Sequence, residues 1–248
     1  MIIDLKQLEK RYKGSDAPAI AGLDLSVEKG EILGLLGPNG AGKTTTLSII
    51  CGLLRPTGGS FRINGEAAAR CRGKIKSLIG FVPQDIALYG TLTARENLRF
   101  FGKMCGLSGP FLAQRVDACL RMVGLEDNAE RRVDTFSGGM KRRANLAAGL
   151  LHEPAILILD EPTVGIDAQS RHVIAENLRA LNRAGTTIIY ATHYMDEASQ
   201  LCTRVAIMDH GRIIKEGAPA QLIDSQAGCE NLDEVFLELT GRHLRDGQ

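Results

Sequence analysis

Residues Gly37, Pro38, Asn39, Gly40, Ala41, Gly42, Lys43 and Thr44 spell GPNGAGKT, a full match to G-x-x-x-x-G-K-[ST], and no other stretch restricts the fold as much. The pattern has its chemistry only between a strand and a helix. Upstream, Ile32 to Leu36 is a short apolar run that reads as a buried strand; downstream, Lys43 to about Leu53 reads as an apolar helix. Glycines let the backbone curl so that successive N–H groups point inward, and the helix N-terminus adds its positive dipole end, so main chain holds a polyphosphate. Lys43 is then placed to reach the β and γ phosphates, the Thr44 hydroxyl to ligate Mg²⁺, and Thr45 to donate near the α phosphate. The bland alternative is a glycine turn carrying an exposed lysine.

The rest of the chain alternates short apolar runs with helical patterns, which points to an α/β fold. Ile156 to Leu159, Thr186 to Ala191 and Val205 to Met208 read as further core strands. Ile2 to Leu8 and Gly59 to Asn64 read as an antiparallel sheet with the loop around Tyr12 on its rim. From Thr93 to Leu151 the pattern turns wholly helical, as an inserted subdomain would. GRIIKEG, after Asp209, reads as a last hairpin strand, and Asn231 to Thr240 as a closing amphipathic helix.

Composition narrows the function. With 44% hydrophobic and 24% charged residues over 248 positions, disorder is excluded as the main state. Thirty basic against 29 acidic side chains, net +1, give no electrostatic reason to expect nucleic acid. No apolar run approaches the roughly 18 to 20 residues of a membrane-spanning helix, and the start MIIDLKQ shows no secretory leader, so a cytoplasmic location is expected. The six cysteines (Cys51, Cys71, Cys105, Cys119, Cys202, Cys229) form no C-x-x-C pair and are expected to be free, small core residues.

Two further segments carry chemistry. ILILDEP ends an apolar strand in Asp160 and Glu161, which could divide the work of hydrolysis, Asp160 on the Mg²⁺ shell and Glu161 on the attacking water. On its own such a pair is more often a solvated turn or a helix cap. In DTFSGGMKRRA, Ser137 is positioned as an N-cap with Gly138 and Gly139 in the first turn, a second anion-binding helix end or simply a capped helix.

Taken in order, GPNGAGKTT, Gln84 in FVPQD, FSGGM, ILILDEPT, Gly165-Ile166-Asp167 and His193 in YATH resemble the nucleotide-binding subunit of an ATP-binding cassette (ABC) transporter over nearly the whole chain. The resemblance implies a P-loop NTPase fold of the ABC-ATPase type, with a RecA-like core, an antiparallel β subdomain and an inserted helical subdomain. It implies one ATPase domain over 1–240, with core and β subdomain at 1–84 and 155–217, the helical subdomain at 85–154 and a C-terminal helical extension over 218–248. ATP and Mg²⁺ are the implied ligands. Tyr12 would stack on adenine, Gln84 would reach Mg²⁺ or the lytic water, His193 would touch the γ-phosphate and the water-orienting Glu161, and Asp167 would meet a partner subunit.

The family's signature usually reads LSGGQ. Here Phe136 and Met140 replace its first and last residues, and Met140 cannot make the amide hydrogen bonds of glutamine. The ending NLDEVFLELTGRHLRD, with SGGMKRRANLAAGLL and ALYGTLTARENL, resembles ATPases of bacterial drug and antibiotic exporters of the daunorubicin-resistance type. That resemblance implies a second nucleotide-binding subunit, expected as a homodimer in which each ATP lies between Gly37–Thr44 of one copy and Ser137–Gly139 of the other. It also implies a separate transmembrane permease, a place on the cytoplasmic face of the plasma membrane, and export of a drug, antibiotic or other small amphiphile. An assembly or regulatory ATPase of the iron–sulfur scaffold type, and an importer ATPase, stay open as alternatives. Ile86-Ala87-Leu88-Tyr89, apolar for a loop, is the expected permease dock unless those side chains pack internally.

Overall fold

The computed structural model describes residues 1–67, 75, 77–226 and 228–241. Cys71 and the last seven residues of the C-terminal segment fall outside that set. The chain divides into two compact units, Met1–Ile75 with Thr187–Gln248, and Lys76–Thr186.

In the first unit, β1 (Ile3–Lys10), β2 (Ile20–Val27), β4 (Gly58–Ile63) and β5 (Glu66–Ala67) form an antiparallel sheet in the order β2-β1-β4-β5. Leu5 faces Leu25, and Ile3 faces both Val27 and Ile63, so one face collects buried aliphatics. A second set comprises β3 (Ile32–Leu36), β8 (Thr187–Thr192), β9 (Arg204–Asp209) and β10 (Arg212–Gly217), in the order β10-β9-β3-β8. β3 runs parallel to both β8 and β9, and every residue of β3 and β8 is buried. Such unbroken apolar runs suit a parallel sheet covered on both faces.

Helix α1 (Lys43–Ile50) starts where the sequence places it but stops three residues short of the expected Leu53. Gly52 takes a left-handed conformation, φ 73°, and the N–H groups of Leu53 and Leu54 turn back onto the Ser48 carbonyl, which closes the helix.

In the second unit, β6 (Ile79–Val82) pairs in parallel with β7 (Ile156–Asp160). Among the described residues they are accompanied by the helices α2 (Ala94–Met104), α3 (Gly109–Met122), α4 (Gly138–Gly149) and α5 (Ala168–Arg183). α2 begins with a full capping box between Thr93 and Glu96. The stretch expected to be wholly helical is interrupted between α3 and α4 by single turns at Glu126–Asn128 and Val133–Thr135. Two arginines tie α3 and α4 end to end. Arg115 of α3 donates to the Leu150 and Leu151 carbonyls beyond the end of α4, both at 3.1 Å, and Arg143 of α4 donates to Val123 and Gly124 beyond the end of α3, at 2.7 and 3.0 Å.

Among its described residues the first unit also carries the short helices α6 (Met195–Leu201), α7 (Pro219–Asp224) and α8 (Leu232–Thr240). Asn231 caps α8 by accepting from the Glu234 N–H at 2.9 Å, and Leu232, Val235 and Phe236 form its buried face. The expected closing amphipathic helix is therefore present.

Candidate nucleotide site

In the first unit the loop Gly37–Gly42 joins the buried end of β3 to the N-terminus of α1. Gly42 has φ 105°, and a Cβ there would lie 2.5 Å from the Ala19 carbonyl oxygen, so the tight turn into the helix requires glycine. Lys43 is only 5% exposed. Its ammonium is held at the loop mouth, donating to the carbonyls of Gly37 at 2.6 Å and Pro38 at 3.3 Å. Asn39, Gly40 and Thr44 are exposed, Ala41 and Pro38 are buried, and Thr45 is half-buried. A charged donor, open glycine backbone and an accessible hydroxyl thus share one helix N-terminus, the arrangement that binds phosphate.

Tyr12 lies two residues beyond the end of β1 and is 44% exposed. Its hydroxyl lies 3.4 Å from Thr45 Oγ1, and the Lys10 ammonium sits 5.4 Å from its ring centroid. A cavity of about 610 Å³ opens beside it, lined among others by Lys10, Arg11, Lys13, Thr57 and Arg212. An exposed ring flanked by cations suits a flat base attached to an anionic tail. His193 follows β8, and since Leu36 and Thr192 are register partners, His193 leaves its strand beside Gly37. Its ring packs at 4.1 Å on Tyr194.

In the second unit Val82 and Leu159 are register partners, so the segments carrying Gln84 and the Asp160–Glu161 pair leave neighbouring strand ends. Gln84 is exposed. Asp160 and Glu161 are 2% and 4% exposed, so they are not a solvated turn. Glu161 also takes a left-handed backbone, φ 49°, unusual for a residue with a side chain and typical of positions held for function. Among the described residues, no group of three or more His, Cys, Asp or Glu could hold a metal by itself. The Thr44 hydroxyl in the first unit, and the Asp160 carboxylate and Gln84 amide in the second, each offer a hard oxygen of the type that suits Mg²⁺.

Ser137 caps α4, its hydroxyl accepting from the Met140 N–H at 3.2 Å. Ser137 and Gly138 are exposed, whereas Gly139 is buried. Phe136 is buried, with the Arg131 guanidinium 5.9 Å from its ring. Asp167 caps α5, accepting from the Ser170 N–H at 2.8 Å and the Ser170 hydroxyl at 2.9 Å, and these bonds lower its pKa.

The ABC transporter family profile matches residues 20–164. The chain is 49% identical over 243 residues to the linearmycin resistance ATP-binding protein of Bacillus subtilis, covering 95% of this chain and 78% of that one. The chain belongs to the ABC transporter family. It is 44% identical to the Nod factor export ATP-binding protein I of Cupriavidus pinatubonensis, covering 96% of this chain and 73% of that one. Among solved structures, a dimeric ATP-binding cassette in a post-hydrolysis state, bound to ADP and Pi, matches with TM-score 0.80 and 29% identity over 88% of this chain and 98% of that one.

This ABC subunit is thus an ATP-binding, transport-coupled ATPase with the P-loop α/β fold expected of it. Tyr12, Gly37–Thr45 and His193 lie in its first unit; Gln84, Ser137–Gly139, Asp160, Glu161 and Asp167 lie in its second. Sequence reasoning passed over one residue close to this machinery, Arg142, because an arginine within KRRA on a helix looks like a solvated charge.

Proposed function

We propose that this cassette powers export through a separate transmembrane permease, and that ATP joins two copies of it. The observation that carries the reading is the pairing, within one chain, of a buried lysine in a glycine loop with a second, solvent-facing capped helix end at Ser137 and Gly138. One loop is enough to bind a triphosphate. A second exposed anion-binding end is explained if it reaches the nucleotide of another copy, and the dimeric post-hydrolysis cassette among the solved structures supports that arrangement.

In this mechanism the Gly37–Gly42 amides and Lys43 bind the β and γ phosphates, while Tyr12 stacks on the base. Thr44, Asp160 and Gln84 would hold Mg²⁺, which would supply positive charge to offset that of the phosphates. Glu161, fixed by its buried position, orients the attacking water and accepts its proton; His193 supports the γ-phosphate. The Ser137 helix end of the second copy grips the triphosphate through charge-assisted bonds. Cleavage removes the γ-phosphate, so the copies separate, and binding free energy becomes movement.

No helix among the described residues is long and apolar enough to cross a membrane. In the proposed mechanism the movement is delivered to the permease. Ala87 and Tyr89 are exposed while Ile86 and Leu88 are half-buried, and the Tyr89 ring stacks among Phe100 and Phe101 at 5.1 and 6.3 Å. This apolar rim is the proposed seat for a cytoplasmic helix of the permease, and the subunit is proposed to work at the cytoplasmic face of the membrane. The resistance and export names of its relatives favour export over the import and assembly readings.

Purification of the tagged chain from membranes tests the proposal. A polytopic membrane protein is expected to copurify in fixed ratio, and Tyr89→Asp is expected to release it while leaving nucleotide binding intact. Copurification with soluble proteins only would contradict the permease partner.

A further inference from the structure

Arg142 lies in the second turn of α4, five residues after the Ser137 cap. Its guanidinium leaves the helix sideways and donates to two backbone carbonyls in separate segments. Nη1 donates to the Gln84 oxygen, and Nη2 reaches the Val164 oxygen at 3.5 Å. Both acceptors sit just beyond neighbouring strand ends, Gln84 two residues after β6 and Val164 in the turn whose N–H bonds back to the Glu161 carbonyl at 3.4 Å. The side chain is half-buried, which pulls its pKa down, while the charges of Asp85 and Glu161 pull it up. A flexible surface arginine would not hold this position. The rigid guanidinium plane reaches the two carbonyls from two separate nitrogens, Nη1 and Nη2; a lysine carries its three donors on one nitrogen at the end of a flexible stem and does not reproduce that fixed spacing.

We propose that Arg142 is a positioning residue for ATP hydrolysis, fastening the backbone at Gln84 and at Val164 to the helix whose N-terminus presents Ser137, Gly138 and Gly139. The inference rests on the functional reading above. It deepens that reading by naming how engagement of the helix end by a second copy's nucleotide reaches the groups that act on this copy's water. When α4 shifts, both segments follow it. Without the guanidinium, nucleotide still binds through the Gly37–Thr44 loop, but Gln84 and Glu161 are set less accurately, and small misplacements of reacting groups cost large factors in rate. The loss therefore falls on kcat.

The test compares wild type, Arg142→Ala, Arg142→Lys and Lys43→Ala, each as the full chain in complex with its permease. ATP turnover, KM, equilibrium binding of a fluorescent ATP analogue and the thermal midpoint are measured for each. In both Arg142 variants kcat is expected to fall about ten- to hundredfold. KM and analogue affinity are expected to stay within about threefold, and lysine is expected to give no rescue. A kcat within about twofold of wild type in the lysine variant would overturn the proposal, as would a loss of kcat matched by an equal loss of nucleotide affinity. If alanine impairs folding, the lysine variant, which keeps the charge and most of the packing, decides alone. Failure of the underlying reading looks different: wild type would then show no turnover dependent on Lys43, whereas Lys43-dependent turnover leaves that reading standing whatever Arg142 does.

Discussion

Gly139, in the first turn of α4, and Ser170, in the first turn of α5, approach so closely that a β carbon on Gly139 would lie 2.1 Å from the serine hydroxyl oxygen. The serine cannot easily yield, because Asp167 holds both its N–H and its hydroxyl. One glycine of the signature is thus needed for packing inside the chain. Gly139→Ala is expected to destabilise the second unit by about 1–3 kcal/mol through overpacking. Thermal unfolding should show a midpoint lowered by several degrees, and Ser170→Gly in the same chain should restore much of it. An unchanged midpoint in Gly139→Ala would show that the contact relaxes freely.

Lys43 donates to two loop carbonyls, and in the proposed mechanism it exchanges them for phosphate oxygens. A hydrogen bond to a charged group is worth roughly 1.5–3 kcal/mol, so Lys43→Ala should weaken binding of an ATP analogue by about ten- to hundredfold. Equilibrium titration reads this directly, and an affinity within about twofold of wild type would rule out the assignment.

The reciprocal arginines make a different prediction. Arg115→Met keeps the apolar stem but removes the donors to Leu150 and Leu151, leaving carbonyls at the end of α4 without that partner. The expected cost is about 1–3 kcal/mol, with faster amide hydrogen exchange around residues 147–153. Unaltered exchange there would mean that water replaces the guanidinium at no cost.

His152 gives the second unit a pH response. Its Nε2 lies 3.1 Å from the Ile79 carbonyl, and its pKa is lowered from 6.5, first by burial and then by the Arg115 charge, against the opposing effect of that carbonyl. Below about pH 6.5 the unfolded chain takes up a proton that the folded chain resists, so stability is lost as pH falls through this range. Above it both states are neutral and the contribution vanishes. His152→Gln, which keeps an N–H donor, should flatten the decline in thermal midpoint between about pH 7.5 and pH 5.5. An equally steep decline in the variant would assign it to other groups.

Much of this was legible from residue pattern alone. The run ILGLL, the loop GPNGAGKT and the first turns of α1 are local in sequence, and local physics places them. The β1 and β4 strands and the Asn231-capped helix were equally readable. Several elements were not, among them β2, β6 and α5. β2, IAGLDLSV, alternates buried and open positions, but Gly22 and Asp24 give it the look of a turn. β6 has only four residues and ends against Pro83, too short for a period to show. α5 was hidden because its arginines and glutamate break the apolar stripe, leaving Ile174 and Leu178 as its buried aliphatics. The burial of Asp160 and Glu161 and the reach of Arg142 depend on which segments neighbour one another in the fold, and no spacing rule encodes that.

Sedimentation of the Glu161→Gln variant tests the central claim most directly. With hydrolysis blocked and Lys43 intact, ATP should convert the chain to a dimer, ADP should leave it monomeric, and a further Lys43→Ala change should abolish the shift. A single sedimenting species under all nucleotide conditions, with the permease present or absent, would contradict the account.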